Sequence, residues 1–198
     1  MKRRIRGIQG RLTREMTSGT PMRRGFWSAV KLDVAANHKS KRYAPSHFII
    51  VLCFSTGFQL LFSYRLQRLL IRIPLAGKLL AKLLNIVTVW LTACHVDCGA
   101  DLAGGITLPH ATGIVISQSA TVESGVTIYQ GVTIGIIEVG KGKAAHIESG
   151  AVIYAGAAIV GEITVGKNAK VGANAVVLAD VPAGATAVGI PARMIGPS

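Results

Sequence analysis

The side chains of this sequence best suited to chemistry at neutral pH are five histidines and three cysteines. His110 stands in the segment Leu108-Pro109-His110-Ala111-Thr112-Gly113. An imidazole titrates near neutral pH, so it can take a proton from a hydroxyl group that would otherwise be a poor nucleophile. His110 is therefore a candidate general base, and the alternative is a hydrogen-bonded structural histidine at a bulge.

The cysteines do not predict a metal site. Cys53, Cys94 and Cys98 are odd in number, and the one close pair has the spacing C-x3-C with His95 inside it. Zinc sites usually pair cysteines as C-x2-C. We expect buried free thiols in a reduced, cytoplasmic protein and no bound metal.

The net charge of +13 is concentrated in the first half of the chain. Residues 1–90 hold 17 of the 22 Lys and Arg but only Glu15 and Asp33 as acids, so they carry +15 and the remainder carries −2. The cations alternate with aliphatic stretches and not with stacking aromatics, which favours an anionic membrane surface over nucleic acid. The alternative, that they only solvate the outer faces of helices, stays open.

Two zones precede the repeats described below. Residues 1–21 have no apolar periodicity, which predicts a flexible basic arm, and residues 22–91 are predicted to be helical. No secretory signal is evident, and the uncharged run 48–64 is shorter than a spanning helix requires, so we expect a cytoplasmic protein that contacts the inner membrane face at most peripherally.

Two amphipathic segments end the helical zone, and Pro74 separates them. In the first we expect a buried face opposite Arg65, Arg68 and Arg72, formed by Phe62, Leu66, Leu69, Leu70 and Ile73. In the second we expect a buried face opposite Lys78 and Lys82, formed by Leu75, Leu79, Leu80, Leu83 and Leu84.

Residues 92–198 show an internal period of six. Aliphatic residues hold it at ten positions: Ile116, Val122, Ile128, Ile134, Ile147, Ile153, Ile159, Val165, Val171 and Val177. A six-residue unit is a short strand and a turn, so three units close a triangular coil whose aliphatic side chains stack inward. We predict a mainly β protein, a parallel β-helix of hexapeptide repeats preceded by a small α-helical region.

Two interruptions of the period are where we expect loops and chemistry. The first adds two residues between Leu108 and Ile116, around His110. The second lies between Ile134 and Ile147 and must form a loop rich in Gly and Lys.

Three segments resemble serine acetyltransferase and its relatives among the hexapeptide-repeat acyltransferases. They are Leu108-Pro109-His110-Ala111-Thr112-Gly113-Ile114-Val115-Ile116, Ile128-Tyr129-Gln130-Gly131-Val132-Thr133-Ile134-Gly135, and the terminal Val188-Gly189-Ile190-Pro191-Ala192-Arg193. The resemblance implies a left-handed β-helix, a homotrimer with active sites at subunit boundaries, and acetyl-CoA as co-substrate with no permanently bound cofactor. It also implies that His110 takes the proton of the acceptor hydroxyl as the oxygen attacks the thioester.

The resemblance further implies which residues flank CoA: Gly135, Ala155, Lys170, Ala173 and Arg193. Lys141 and Lys143 in the loop are additional candidates for its phosphates.

The group that orients His110 is left open between two residues. His95 stands where the family carries an acidic residue in that role, which is a departure from the family pattern. Asp97, two positions later, is the alternative, because a carboxylate beside an imidazole fixes its tautomer and supports the imidazolium.

The acceptor is also left open. Arg42 aligns with an acidic residue of the family, an Arg-His pair before the resumed repeat is absent, and the chain stops at Pro197-Ser198 without the extended tail that docks into cysteine synthase. These departures favour a sugar hydroxyl in capsular or exopolysaccharide biosynthesis as acceptor. The alternative is a serine O-acetyltransferase of cysteine biosynthesis acting on L-serine.

Two further hypotheses concern other classes of protein. A zinc carbonic anhydrase on the same solenoid would need three converging histidines, and His95, His110 and His146 do not have its motif. A non-catalytic scaffold at the membrane would not need the segment around His110.

Overall fold

The computed structural model describes residues 25–38, 44–74, 76–138 and 142–195. Its first part consists of the helices α1 (Phe26–Asn37), α2 (Pro45–Phe54), α3 (Thr56–Leu70) and α4 (Ala76–Thr92). Ser55 separates α2 from α3, and its hydroxyl accepts a hydrogen bond from the Phe58 N–H as the N-cap of α3. The predicted arm, residues 1–21, lies outside the described residues.

None of these helices is by itself both long and apolar enough to cross a bilayer, within the part of the chain that the structure describes. Ser46–Phe54 and α3 together reach the required length and composition, but the chain bends by 103° between them.

From His95 onward the chain winds into a β-helix of short strands. The strands are β1 (His95–Val96), β2 (Asp101–Leu102), β3 (Val115–Ile116), β4 (Thr121–Val122), β5 (Thr127–Ile128), β6 (Thr133–Gly135), β7 (His146–Ile147), β8 (Val152–Ile153), β9 (Ala158–Val160), β10 (Thr164–Val165), β11 (Lys170–Val171), β12 (Val176–Val177), β13 (Thr186–Val188) and β14 (Arg193–Ile195). Sheet A has the order β1-β3-β6-β9-β12, sheet B has β10-β7-β4-β2, and sheet C has β14-β13-β11-β8-β5. Neighbouring strands pair in parallel, except that β14 is antiparallel to β13.

The predicted six-residue period is confirmed by burial. All ten repeat positions are at most 2 % exposed, and they stack in one column along the axis of the coil. A small or β-branched residue two positions earlier is usually buried as well, as Ala151 is before Ile153, so each six-residue repeat contributes two inward side chains. The fold is the left-handed parallel β-helix expected from the sequence.

Both predicted interruptions appear in the strand register. Val96 pairs with Ile116 and Ile116 with Ile134, so the first coil is two residues longer than the second, and the extra residues fall in the turn around His110. Ile134 pairs with Ile159, and the longer insertion forms the loop that leaves β6 and returns at β7.

A buried ion pair fastens the helices to the first coil. Arg65 in α3 donates from Nε to Asp33 Oδ2 in α1 at 2.5 Å, and it also donates to the carbonyl oxygens of Leu102 and Ala103. Asp33 Oδ1 in turn accepts from the Gly105 N–H at 2.8 Å. Because the carboxylate, the guanidinium and the coil backbone satisfy one another, two charges can be buried at the end of the β-helix.

The predicted faces of the two amphipathic helices are wrong in part. In α3 the side chain of Arg65 is buried, whereas Leu69 is 41 % exposed, because Asp33 and the coil carbonyls draw Arg65 inward. In α4 the helix packs through the small residues Gly77, Ala81 and Thr88. Three of the leucines expected in its core are exposed instead: Leu79, Leu80 and Leu83.

Candidate active site

The turn that carries His110 lies at the corner between sheet C and sheet A. Two helices hold Leu108, the residue at the start of this turn. The side-chain oxygen of Asn37 in α1 accepts a hydrogen bond from the Leu108 N–H at 3.1 Å. On the other side Gly57 of α3 touches the same residue so closely that a Cβ there would lie 2.0 Å from the Leu108 carbonyl oxygen. The helical region therefore determines where the His110 turn begins.

His110 itself is exposed at the outer edge of this turn. Its carbonyl oxygen accepts from the Thr112 N–H at 3.0 Å, and the next side chain, Ala111, points into the core. Among the residues that the structure describes, no hydrogen bond engages the imidazole. This is the arrangement that a base needs if it is to receive a proton from a substrate.

His95 is the first residue of the sheet A strand β1, and Asp97 directly follows its last residue, Val96. The His95 N–H donates to the Ile114 carbonyl at the end where the His110 turn enters sheet A, and the His95 side chain points outward. The Asp97 N–H donates to the Ile116 carbonyl at the far end, and its Oδ1 accepts from the Gly99 N–H at 2.7 Å. Neither side chain makes a hydrogen bond with His110 in the described part of the chain, and of the two candidates His95 is the one beside the turn.

Hydrogen bonds from coil to coil run along the corner that holds His110. The Gly131 N–H donates to the Thr112 carbonyl, the Gly156 N–H to the Gln130 carbonyl, and the Asn174 N–H to the Ala155 carbonyl. At about 4.8 Å per coil, the turn of Ala173 lies about 14 Å along the corner from the turn of His110. The structure thus aligns His110, Ala155 and Ala173 on one edge of the β-helix.

Glycines at successive turns keep this edge free of large side chains. Gly113, Gly131 and Gly156 all have positive φ, between 66° and 71°, a conformation that L side chains rarely adopt. A Cβ on Gly156 would also lie 2.1 Å from the side-chain oxygen of Asn174. The edge therefore presents backbone and small side chains, which leaves room for the close approach of an extended ligand.

The other predicted CoA residues lie away from this edge. Lys170 is exposed on β11 and Arg193 is exposed on β14, both in the adjoining sheet C. Gly135 ends β6 at the opposite side of sheet A, where its carbonyl accepts from the Gly161 N–H. Within one chain, the structure brings two of the five predicted CoA residues onto the edge of His110.

A pair of stacked tyrosines beside the edge was not predicted. The rings of Tyr129 and Tyr154 stack with their centroids 5.5 Å apart and their planes 16° apart. Each tyrosine directly follows a repeat position, Ile128 or Ile153, so both must occupy the same place in successive coils. That shared register is the sequence signal that could have identified them.

The loop candidates and His146 lie elsewhere. Lys143 forms an exposed ion pair with Glu162 at 3.3 Å, and Lys141 is outside the described residues. His146 is on sheet B, where its Nε2 lies 3.1 Å from Glu123 Oε1. In the described ranges, no group of three His, Cys, Asp or Glu side chains is placed to hold a metal ion.

Known proteins resemble this chain over most of its length. The serine acetyltransferase of Bacillus subtilis is 33 % identical over 171 residues, which is 86 % of this chain and 77 % of that protein. Among solved structures, Brucella abortus serine acetyltransferase in complex with coenzyme A has a TM-score of 0.73 at 35 % identity over 86 % of this chain and 68 % of that one. Neisseria gonorrhoeae serine acetyltransferase in complex with serine has a TM-score of 0.74 at 31 % identity, over 86 % and 69 % of the two chains. No protein-family model matches the chain.

Proposed function

Because the chain belongs to the serine acetyltransferase family and is an acetyl-CoA-dependent O-acetyltransferase, we propose that the hydroxyl it acetylates is that of L-serine. The observation that carries the proposal is the match over 86 % of the chain to a solved serine acetyltransferase with serine bound. The sugar acceptor expected from the sequence has no support in these comparisons, which fit the alternative better. The departures at the Arg-His pair and at Arg42 then imply that this chain holds serine through other side chains; Arg42 lies outside the described residues.

The proposed reaction needs one base and no covalent enzyme intermediate. An imidazole nitrogen of His110 accepts the hydroxyl proton while the serine oxygen forms a bond to the thioester carbonyl carbon. The tetrahedral intermediate then collapses, the carbon–sulfur bond breaks, and the imidazolium returns its proton to the leaving thiolate. The products are O-acetylserine and CoA.

CoA is proposed to lie along the glycine-rich edge, with its thioester at the His110 turn. The edge extends about 14 Å to the turn of Ala173, and it is open enough for the arm of the co-substrate. Lys170 and Arg193 are exposed on the adjoining sheet C, and they are the cations proposed to contact its phosphates.

A second copy of the chain is proposed to complete the site, in a homotrimer. His110 is exposed, and apolar side chains around the same edge are open to solvent: Val115 and Tyr154 are each 38 % exposed. A neighbouring β-helix packed against this edge would cover these side chains and exclude water from the reacting atoms. It would also bring Gly135, which is remote from His110 within one chain, into the reach of a neighbour's site.

The test is thiol release from acetyl-CoA, measured with L-serine and, separately, with a panel of nucleotide-linked sugars. Wild-type protein should turn over with L-serine, and His110→Gln should lower kcat by about 10²- to 10⁴-fold, the usual contribution of a general base. The matched control is His47→Gln, the same substitution in helix α2, which should keep wild-type activity. Circular dichroism should show that all three proteins are folded.

Two outcomes of this experiment would contradict the proposal. If serine is inert and a sugar is acetylated in a His110-dependent manner, the serine proposal is wrong and the sugar hypothesis is restored. If serine turnover survives His110→Gln in a folded protein, His110 is not the base.

A further inference from the structure

Helix α4 has an apolar stripe that the described part of the chain leaves uncovered. The stripe consists of seven exposed side chains: Leu79, Leu80, Leu83, Ile86, Val87, Trp90 and Leu91. Trp90 is 86 % exposed and Leu91 is 80 % exposed, which is unusual for residues of this size. The spacings of three, four, seven and eight residues place all seven on one side of the helix, along about 18 Å.

The packing of α4 explains why this side faces outward. The helix is held against α3 by small residues, and at Gly77 the contact is so close that a Cβ would lie 2.0 Å from the Leu70 carbonyl oxygen. A helix on the surface of a globular protein normally turns its large apolar residues toward the core. Here the small face is inside and the large apolar face is outside, which is the pattern of an interaction surface.

Cations border the stripe. Lys78 and Lys82, one turn apart, are both exposed and line a groove of about 200 Å³ beside His95 and Asp97. Helix α4 contains no acidic residue, and residues 1–90 as a whole carry +15. The surface therefore combines aliphatic side chains, a tryptophan and positive charge.

We propose that α4 docks on an anionic phospholipid surface, with its apolar stripe at the boundary between head groups and acyl chains and with Lys78 and Lys82 against lipid phosphates. An amphipathic helix that carries lysines beside Leu and Trp binds a membrane interface in this way. Juxtamembrane cations add an electrostatic attraction to anionic lipid. The proposal does not depend on which hydroxyl the enzyme acetylates.

Charge favours lipid over a second copy as the occupant of the stripe. Two copies packed through α4 would bring together two helices that carry only positive side-chain charge, each at the end of a chain segment of +15. Like charges at a contact oppose association, whereas an anionic bilayer supplies the opposite charge.

The first experiment uses the full chain and sedimentation with vesicles. Wild-type protein should pellet with vesicles of phosphatidylcholine and phosphatidylglycerol but not with phosphatidylcholine alone, and high salt should weaken binding. Leu79→Ser combined with Leu83→Ser should weaken binding at least tenfold. Lys78→Gln combined with Lys82→Gln should weaken it and reduce its salt dependence. The matched control, Leu178→Ser, changes a leucine that is 58 % exposed on the β-helix and should bind like wild type.

A second measurement locates the contact. The chain has two tryptophans, so Trp27→Phe leaves Trp90 as the only one, and its emission should shift to shorter wavelength when anionic vesicles are added. Failure of wild-type protein to bind any vesicle would overturn the proposal. So would unchanged binding of the Leu79/Leu83 variant, which would place the contact outside α4. If the protein ignores vesicles and the same variant forms a smaller oligomer than wild type, the stripe contacts a second copy instead.

Discussion

At the scale of single residues, the site has two candidates for the group that orients His110, namely His95 and Asp97. His95 points outward beside the turn of His110, whereas Asp97 lies just past the other end of the strand and already accepts a hydrogen bond from the Gly99 N–H. Spacing in the sequence does not decide which of the two residues orients His110. The register of β1 against β3 distinguishes them, because it shows which end of sheet A each residue occupies.

We expect Asp97→Asn to leave kcat within about twofold, because the amide oxygen can still accept from Gly99. His95→Ala should lower kcat by about tenfold, which is the lower end of the loss in activity seen when a group that orients a functional histidine is removed. The readout is the pH dependence of kcat, in which His95→Ala should shift the acidic limb and a purely structural change would not. A tenfold loss in Asp97→Asn with a normal melting temperature would give the role to Asp97.

Tyr64 supplies a prediction about pH. Its hydroxyl donates to the Ala100 carbonyl at 2.6 Å and accepts from Arg68 at 2.9 Å, and burial raises the pKa of this phenol above its ordinary value although Arg68 opposes the rise. The neutral phenol is therefore the form that the folded state holds. Its stabilising effect is complete below pH 10 and is lost as the pH rises through the pKa of the folded state. Urea midpoints from pH 8 to 11 should fall more steeply above pH 10 in wild type than in Tyr64→Phe, and parallel curves would contradict this.

At the scale of elements, the helices hold the turn that carries His110 in position. Gly57→Ala should push α3 away from Leu108, because the new methyl group would overlap the Leu108 carbonyl oxygen. We expect a lower melting temperature and a fall in kcat that is larger than the change in KM for acetyl-CoA. Gly25→Ala is the control, since a Cβ at that position meets no atom within 4 Å. Equal behaviour of the two variants would show that α3 does not set the turn.

The contact between α1 and α3 should account for much of the stability of the helical end. Asp33→Ala leaves the guanidinium of Arg65 buried without its partner, and we expect a loss of about 3–5 kcal/mol in the free energy of unfolding. Glu162→Ala removes the carboxylate of the exposed ion pair with Lys143 and should change it by less than about 1 kcal/mol. Urea denaturation of both variants is the measurement, and a similar small loss in both would contradict the role given to the pair.

The elements also show what the sequence can and cannot predict. The β-helix was predictable because every coil must place an aliphatic residue inward, so Ile116 and its successors repeat in register. The faces of α3 and α4 were not predictable in the same way, because periodicity identifies an apolar side but not the partner that covers it. Arg65 was placed with the solvent-facing residues because its partner, Asp33, is distant in sequence. The tyrosine pair was not predicted, because the six-residue period identifies the inward positions, whereas Tyr129 and Tyr154 are outward residues that directly follow them.

At the scale of the whole molecule, the proposed homotrimer makes activity depend on assembly. Light scattering should give three times the mass of one chain. Dilution below the concentration at which this mass is lost should abolish turnover, because the residues that complete each site would then be absent. A fully active single chain would contradict the proposed completion of the site between copies.

The antiparallel strand β14 covers the end of sheet C and so hinders pairing of that sheet with another copy of the chain. A stack of parallel strands ends in unpaired backbone groups, which can accept the first coil of another molecule and extend into a fibre. In this chain the last strand of sheet C runs back along β13, from Arg193 to Ile195, and so presents an edge of the wrong polarity for that addition. Removal of this short strand should therefore convert a discrete particle into one that associates end to end, even though every coil of the core would remain intact.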